Sequence, residues 1–217
     1  MMRRVCFVAG LTILALVWLG PLPRWAGPSF SAHMLMHLGV LAAASPLLAL
    51  GLASRHARPL SPAVPLLASA LELVVVSLWH VPVLHDAARS DGLMMLLEQA
   101  SFLGCGLLLW SSALQRPDGT QAGGNLAMAG VAALLVSSMH MTLLGALIAL
   151  SPRELYRCEP PLAGMLPIAD QQLGGALMLI ATSAIYLAAG LFQLRRILNR
   201  VNDRWRPRHQ VNSNARR

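Results

Sequence analysis

The 217-residue sequence has little charge: 12% of its residues are Asp, Glu, Lys or Arg, about half the share in soluble domains. It contains no lysine, and its three cysteines, Cys6, Cys105 and Cys158, form no CxxC or CxxxC pair. These scattered cysteines exclude a disulfide framework, a zinc ribbon and a thiol-type copper site. A soluble protein with so few polar residues could not cover its surface, whereas lipid needs no polar cover. With 56% apolar residues and a mean hydropathy of +0.58, the sequence predicts a membrane protein.

Six apolar stretches follow one another, each close to the roughly 20 residues that a bilayer-spanning helix needs. The third contains Glu72 and the fourth Glu98, and the other four contain no formally charged side chain. Short loops rich in proline separate them, and proline breaks helices. We therefore predict an all-α polytopic membrane protein, a bundle of about six transmembrane helices. The stretches centre on 5–21, 30–52, 63–83, 92–114, 125–150 and 171–194, which makes 1–195 a transmembrane helical domain and 196–217 a basic cytoplasmic tail.

Arginine placement predicts the orientation, because cytoplasmic segments keep their positive charge during insertion. With the N-terminus inside, 13 of the 17 arginines fall in inner segments and 4 in outer loops, so we predict both termini inside. The net charge of +8 is interpreted as this orientation signal together with contact to anionic lipid, and not as a nucleic-acid interface. A signal peptide is the alternative for the first stretch, but no clear small-x-small cleavage site follows it.

Five of the seven histidines converge on the predicted outer side. His33 and His37, four residues apart, share one helix face at the start of the second span. His80 ends the third span and His85 follows it, while His140 lies roughly 15 Å below the outer end of the fifth span. Any one of them alone could be a packing residue. Ionisable groups inside lipid are costly and mostly functional, so the group as a whole predicts a metal or haem site.

Thioether and carboxylate groups occur in the same half of the predicted bundle. Thioethers select Cu(I) and imidazoles suit Cu(II), whereas hard cations need more oxygen ligands than are present here. The mixture predicts a copper site with His33, His37, His80 and His140 as metal ligands. Secondary candidates are His85, Met34, Met36, Glu98, Met139, Met141, Asp170 and Gln171, and Met94, Met95, Met165 and Met178 lie in the same half.

Two further features are assigned to packing. Glu72, in the middle of the third span, is interpreted as a carboxyl group paired inside the bundle. Gly174 and Gly175, with Gly104 and Gly106, predict close contacts between helices, since small residues let helix backbones approach in membranes.

Short motifs occur in a characteristic order along residues 30–195. His33-Met-Leu-Met-His37 opens the second span, Trp79-His80-Val81-Pro82 closes the third, and Asp170-Gln171 opens the sixth. Further fragments are residues 45–51, Ala87-Ala88, Phe102, Trp110, residues 149–152, Leu155-Tyr156 and residues 172–175. In this order they resemble the CtaG family of caa(3)-type cytochrome c oxidase assembly factors.

The resemblance implies a multi-pass protein of the bacterial inner (plasma) membrane that is needed to make active haem-copper oxidase and has a role in supplying copper. Its implied partners are cytochrome c oxidase subunits, with a periplasmic copper chaperone as a candidate donor. The sequence departs from the family in the fourth span, where members commonly carry histidine. Here that span carries Met94, Met95, Glu98 and Gln99.

Two other classes of function stay open. A membrane cytochrome or haem-handling protein would use two histidines at similar depth on different helices, such as His37 and His140. A membrane enzyme is disfavoured, because HxxHH, HExxH and GxSxG motifs are missing. We therefore predict a non-enzymatic assembly factor that binds copper transiently at the periplasmic face, with haem as the alternative cofactor.

Overall fold

A computed structural model describes residues 1–26, 28–53, 60–115, 120–156 and 164–214, with side chains up to residue 202. Cys158 therefore lies outside what is described, and for most of the predicted basic tail the backbone alone is described. The described residues form ten α-helices, two π-helical turns and no β-strand. The helices are α1 (Met2–Leu19), α2 (Leu22–Ala26), α3 (Phe30–Leu38), α4 (Ser45–Leu52), α5 (Ala63–Trp79), α6 (Pro82–Ser90), α7 (Gly92–Ala113), α8 (Gln121–Ala149), α9 (Pro167–Leu177) and α10 (Ser183–Asn214).

Five continuous helical stretches are long and apolar enough to cross a bilayer, and a bent pair makes up to six. The π-turn Gly39–Ala44 joins α3 to α4, and the π-turn Met178–Thr182 joins α9 to α10, so each of these pairs forms one span. The third predicted span is the bent pair, in which α5 and α6 meet at 76°. The predicted all-α bundle of about six spans is confirmed.

Local sequence explains where the helices begin. Ser29, Asp91 and Thr120 cap α3, α7 and α8, because each side chain accepts a hydrogen bond from the backbone N–H three residues later. Two other helices, α6 and α9, begin at Pro82 and Pro167. Proline suits a first helical turn, since the N–H that it lacks would have no partner there.

Helix α1 belongs to the bundle. Gly10 lies against Leu48 of α4, and Gly39 of the first π-turn lies against Val17. Near the end of α1, the indole N–H of Trp18 donates to an oxygen on α7 at 3.3 Å. The first span is thus packed against the helices that carry the predicted site residues.

Glycines bring α8 and the last span into close contact. A Cβ atom added to Gly145 would lie 2.6 Å from the backbone nitrogen of Leu179, and one added to Gly175 would lie 2.5 Å from that of Ala149. The contact predicted at Gly104 is wrong, because nothing lies within 4 Å of a Cβ atom built there. That residue faces away from its neighbours, which glycine content alone does not reveal. The contacts predicted at Gly106 and Gly174 are confirmed.

The mid-span carboxyl group is paired, as predicted. The hydroxyl of Tyr186 donates to Oε1 of Glu72 at 2.6 Å, and both residues are buried. Burial in a bilayer makes an unpaired carboxyl group costly, so this contact ties α5 to α10.

Candidate metal centre

Four histidines and one carboxyl group are buried together at one end of the bundle. His33, His37, His80, His85 and Glu98 are each between 0% and 6% exposed. They come from α3, the end of α5, α6 and α7. Charged and polar groups are rarely buried this completely without a partner or a ligand.

The two histidines of α3 face the same way, as their four-residue spacing predicts. The ring centroids of His33 and His37 are 4.5 Å apart, edge to face. His85 reaches them because the chain turns sharply between α5 and α6, and its ring centroid lies 4.6 Å from that of His33. The bend therefore adds a third imidazole from a separate helix.

Glu98 of α7 lies at the centre of the group. His33 Nε2 is 3.1 Å from Glu98 Oε1 and 3.0 Å from Oε2, and His37 Nε2 is 3.6 Å from Oε1. The amide of Gln99 donates to Oε2 at 3.2 Å. In the fourth span, where the sequence departs from the family pattern, a carboxylate thus stands among the imidazoles.

Four of these residues are close enough to share one ion. One ligand atom from each of His33, His37, His85 and Glu98 lies within 4.8 Å of the others. Four ligand atoms about 2.0–2.1 Å from one tetrahedral ion lie about 3.4 Å apart, so an ion would draw these side chains closer together. Three imidazoles and a carboxylate are a ligand set for a first-row transition metal.

Five buried imidazole nitrogens have no hydrogen-bond partner among the described residues. They are Nδ1 of His33, Nε2 of His37, Nε2 of His80 and both ring nitrogens of His85. Buried polar atoms of this kind are nearly always paired. A neutral imidazole has one N–H and one nitrogen with a lone pair, and the lone pair is what a metal binds. At His85 neither nitrogen has a partner among the described residues, so its lone pair is free for a metal.

His80 lies beside the four-residue group. Its Nδ1 is 2.7 Å from the carbonyl oxygen of Val76, and since a carbonyl only accepts, Nδ1 carries the proton and Nε2 has the lone pair. The ring centroid of His80 is 5.8 Å from that of His37 and 6.3 Å from that of His85. His80 is therefore a neighbour with one free ligand atom.

Gln99 orients the centre through α1. The indole of Trp18 can only donate, so its 3.3 Å contact fixes the oxygen of the Gln99 amide on that side. The NH₂ group then points to Glu98 and to Nδ1 of His37, 3.3 Å away. The sequence indicated Gln99 only as a departure from the family, because nothing in its spacing reveals contact with Trp18.

Asp170 holds the start of α3. Its carboxylate accepts hydrogen bonds from the backbone N–H groups of Phe30 at 2.7 Å and Ser31 at 3.3 Å. The hydroxyls of Ser29, at 3.0 Å, and Ser31 also donate to it. A carboxylate at a helix N-terminus is stabilised by the helix dipole. The structure thus places this predicted secondary residue at the base of the helix that carries His33 and His37.

Gln171 fastens the loop between α8 and α9. The NH₂ group donates to the carbonyl oxygen of Arg153 at 3.1 Å, and the amide oxygen accepts from the backbone N–H of Leu155 at 2.6 Å. The next residue along, Tyr156, is held over the centre. Both residues of the Asp-Gln motif therefore shape the surroundings of the histidines.

Tyr156 covers the centre. Its hydroxyl donates to the carbonyl oxygen of His80 at 2.8 Å, and its ring stacks on Phe30 with centroids 4.4 Å apart. The centroid of His85 is 4.6 Å away. Burial raises the pKa of the Tyr156 phenol above its ordinary value, and the nearby Asp86 raises it further. Tyr156 appeared in the sequence only as part of a family motif.

The remaining predicted ligands lie outside the group of four, at several separate positions. His140 is half-buried on α8 with Nε2 3.4 Å from the hydroxyl of Ser77, and it is not one of the four grouped residues. Met139 is 68% exposed. Met36 packs in the apolar core, and Met34 and Met141 line a cavity below the histidines. Depth along a helix placed His140 near the others, whereas in the structure its ring nitrogen contacts the Ser77 hydroxyl.

Fold and site together define a multi-pass helical membrane protein with a buried histidine–carboxylate centre at one end of its bundle. A family model described as cytochrome c oxidase caa3 assembly factor (Caa3_CtaG) matches residues 1–200 of the chain. The chain belongs to this family, which confirms the resemblance seen in its motifs. No curated protein and no solved structure matches it. Membership makes cytochrome c oxidase its partner and a membrane its setting.

Proposed function

We propose that this assembly factor holds a copper ion between His33, His37, His85 and Glu98 and passes it to a subunit of cytochrome c oxidase. The observation that carries the proposal is the set of buried imidazole nitrogens without partners beside a buried carboxylate. His85 takes the place that the sequence assigned to His140, because the turn between α5 and α6 brings it to the group.

Copper accounts for the site better than haem. The ring of His33 is in edge-to-face contact with those of His37 and His85, with centroids 4.5 and 4.6 Å away, which leaves no gap for a planar macrocycle on either side of it. The adjoining cavity has a volume of about 10 Å³, far less than the 300–1,000 Å³ of ordinary cofactor sites. A single ion needs no such gap.

The chain's own residues bind and orient, and no catalytic step is required. In the structure, Glu98 is surrounded by N–H groups of His33 and Gln99. A metal ion takes ligands that have lost their protons, so copper would replace the contact between His33 and Glu98 by two metal–ligand bonds. Asp170 and Gln99 would keep the ligands in place, as partners of ligands do in metal sites.

We place the centre at the periplasmic face of the bacterial inner membrane. Thirteen of the 17 arginines fall in the segments that the sequence assigns to the opposite side, as the positive-inside rule requires of a cytoplasmic side. A periplasmic copper chaperone is then the donor, and the oxidase subunit receives the ion within or beside the membrane.

The test is copper binding by detergent-purified protein, together with the copper content of the oxidase made in cells. We expect His33→Ala, His85→Ala and Glu98→Gln each to weaken copper binding at least about tenfold. Changes to groups that only support the ligands of a metal site already weaken binding by about 10- to 100-fold, and these variants remove a ligand itself. Oxidase polypeptides and haem should still be made. His140→Ala is the matched control, since it removes an imidazole from the same half of the bundle. If the three variants bind copper as well as this control does, the centre is structural and the proposal fails.

A further inference from the structure

A cavity lies directly below the histidine–carboxylate centre, between α3, α5, α8 and the π-turn Met178–Thr182. Its volume is about 10 Å³, room for about one water-sized sphere. The side chains of Met34, Met141 and Met178 line it, together with His37 and His80. Aliphatic residues and Thr182 complete the wall, and the deepest of them along the second span is Leu41 in the π-turn Gly39–Ala44, about 12 Å below His33 at the helical rise.

Ligand atoms for a soft metal line this small cavity. Methionine is a flexible filler of irregular gaps, and three buried methionines meet here around a space that would hold one small ion or water molecule. Met34 and Met141 are 1% exposed and Met178 is 5% exposed, so none of them faces lipid. His80 also lines the cavity, and its buried Nε2 has no hydrogen-bond partner among the described residues. A free imidazole nitrogen beside three thioethers is a ligand set.

Both helices that frame the cavity depart from α-helical geometry at its level. Met178 and Thr182, at the two ends of one π-turn, both line it, and the other π-turn, Gly39–Ala44, begins directly after Leu38 in its wall. The indole of Trp110 donates to the carbonyl oxygen of Leu41 at 3.0 Å, which satisfies a carbonyl inside the π-turn Gly39–Ala44. π-turns inside α-helices are frequent at functional sites.

We propose that this cavity is a second metal site, selective for Cu(I), in which the thioethers of Met34, Met141 and Met178 bind the ion together with Nε2 of His80. Thioethers are soft ligands that select Cu(I), whereas imidazole and carboxylate ligands also accept Zn(II), Ni(II) and Cu(II). The centre above therefore accepts several ions, and the cavity below it accepts only Cu(I). His37 borders both sites, so a Cu(I) ion passes between them without entering lipid or water.

This inference rests on the proposed function for the source of copper, but its chemistry can be tested apart from it. The protein is the full chain in detergent, and the probes are Cu(I), measured against a Cu(I) chelator, and Zn(II). The variant is Met141→Leu combined with Met178→Leu, because leucine conserves volume and such exchanges are well tolerated in cores. Met139→Leu is the matched control, two residues from Met141 and exposed.

We expect wild-type protein and the control to bind two Cu(I) ions per chain, with sulfur in the copper X-ray absorption spectrum. The double variant should bind one Cu(I) ion, lose the sulfur signal and bind Zn(II) as wild type does. Unchanged Cu(I) binding in the double variant, with weakened binding in His85→Ala, would overturn the second site and leave the proposed function standing. An equal loss of Zn(II) would also overturn it, since the methionines would then act on the centre above. Unchanged binding in both variants would overturn the proposed function as well.

Discussion

Replacing Asp170 by alanine tests whether α3 is held at its start by one buried carboxylate. The first N–H groups of a helix have no partner within the helix, and Asp170 accepts from two of them, those of Phe30 and Ser31. Alanine would leave both N–H groups buried without an acceptor. The hydroxyls of Ser29 and Ser31, which are 3.2 Å apart, can still pair with each other.

The magnitude follows from these two N–H groups. Each buried donor left unsatisfied costs about 1–3 kcal/mol, so Asp170→Ala should lower the free energy of unfolding by about 2–6 kcal/mol. At about 2–4 °C per kcal/mol for a chain of this length, Tm should fall by about 4–24 °C. Asp170→Asn keeps one acceptor oxygen, so its Tm should lie between those of wild type and Asp170→Ala. Because His33 lies one turn from the affected N–H groups, copper binding should weaken in parallel.

Thermal unfolding in detergent, followed by tryptophan fluorescence, measures the loss. Asp91→Ala is the matched control, since Asp91 caps α7 in an exposed position through one hydrogen bond to the N–H of Met94, 2.9 Å long. Loss of such a cap costs typically about 1 kcal/mol. If Asp170→Ala is no less stable than Asp91→Ala, the buried carboxylate does not hold α3, and the reasoning is refuted.

Three other predictions concern packing, pH and orientation. Gly145→Ala should cost about 1–3 kcal/mol in the same thermal assay, because the new Cβ atom would lie 2.6 Å from a backbone atom that cannot rotate away. Gly104→Ala, with nothing within 4 Å, should match or exceed wild type. Burial raises the pKa of Tyr156, so the folded state keeps a proton that the unfolded state loses near pH 10. Stability should therefore fall as pH rises above about 10, and less steeply in Tyr156→Phe; equal slopes would contradict this assignment. Alkaline phosphatase fused after residue 88 should be active and after residue 57 inactive, and the opposite pattern would place the centre in the cytoplasm.

Much of the fold could be predicted because the bilayer is a strong constraint. A span must be apolar over a fixed length, and its backbone must satisfy its own hydrogen bonds, which leaves the helix as the solution for such stretches. The length of each apolar stretch therefore predicted six spans, and the four-residue spacing of His33 and His37 predicted a shared face. Both predictions are confirmed by the structure.

The composition of the centre could be predicted only in part. Depth along a span can be counted from its ends, and this placed His80, His85, Glu98 and Asp170 at one end of the bundle. Rotation about the helix axis cannot be counted in the same way when a helix is apolar nearly all round. Helix α8 is of this kind, so the sequence did not indicate that Met141 faces the interior while Met139 is exposed.

By itself, the sequence determined that this is a helical, multi-pass membrane protein with histidines gathered toward one end, because hydropathy and helical rise depend on local composition. Only the tertiary structure decided which of them meet. The bend between α5 and α6 brings His85 to His33, and the approach of α7 puts Glu98 between the imidazoles. Those contacts join residues more than 50 positions apart, so they depend on how helices pack together and not on the order of residues within any one of them.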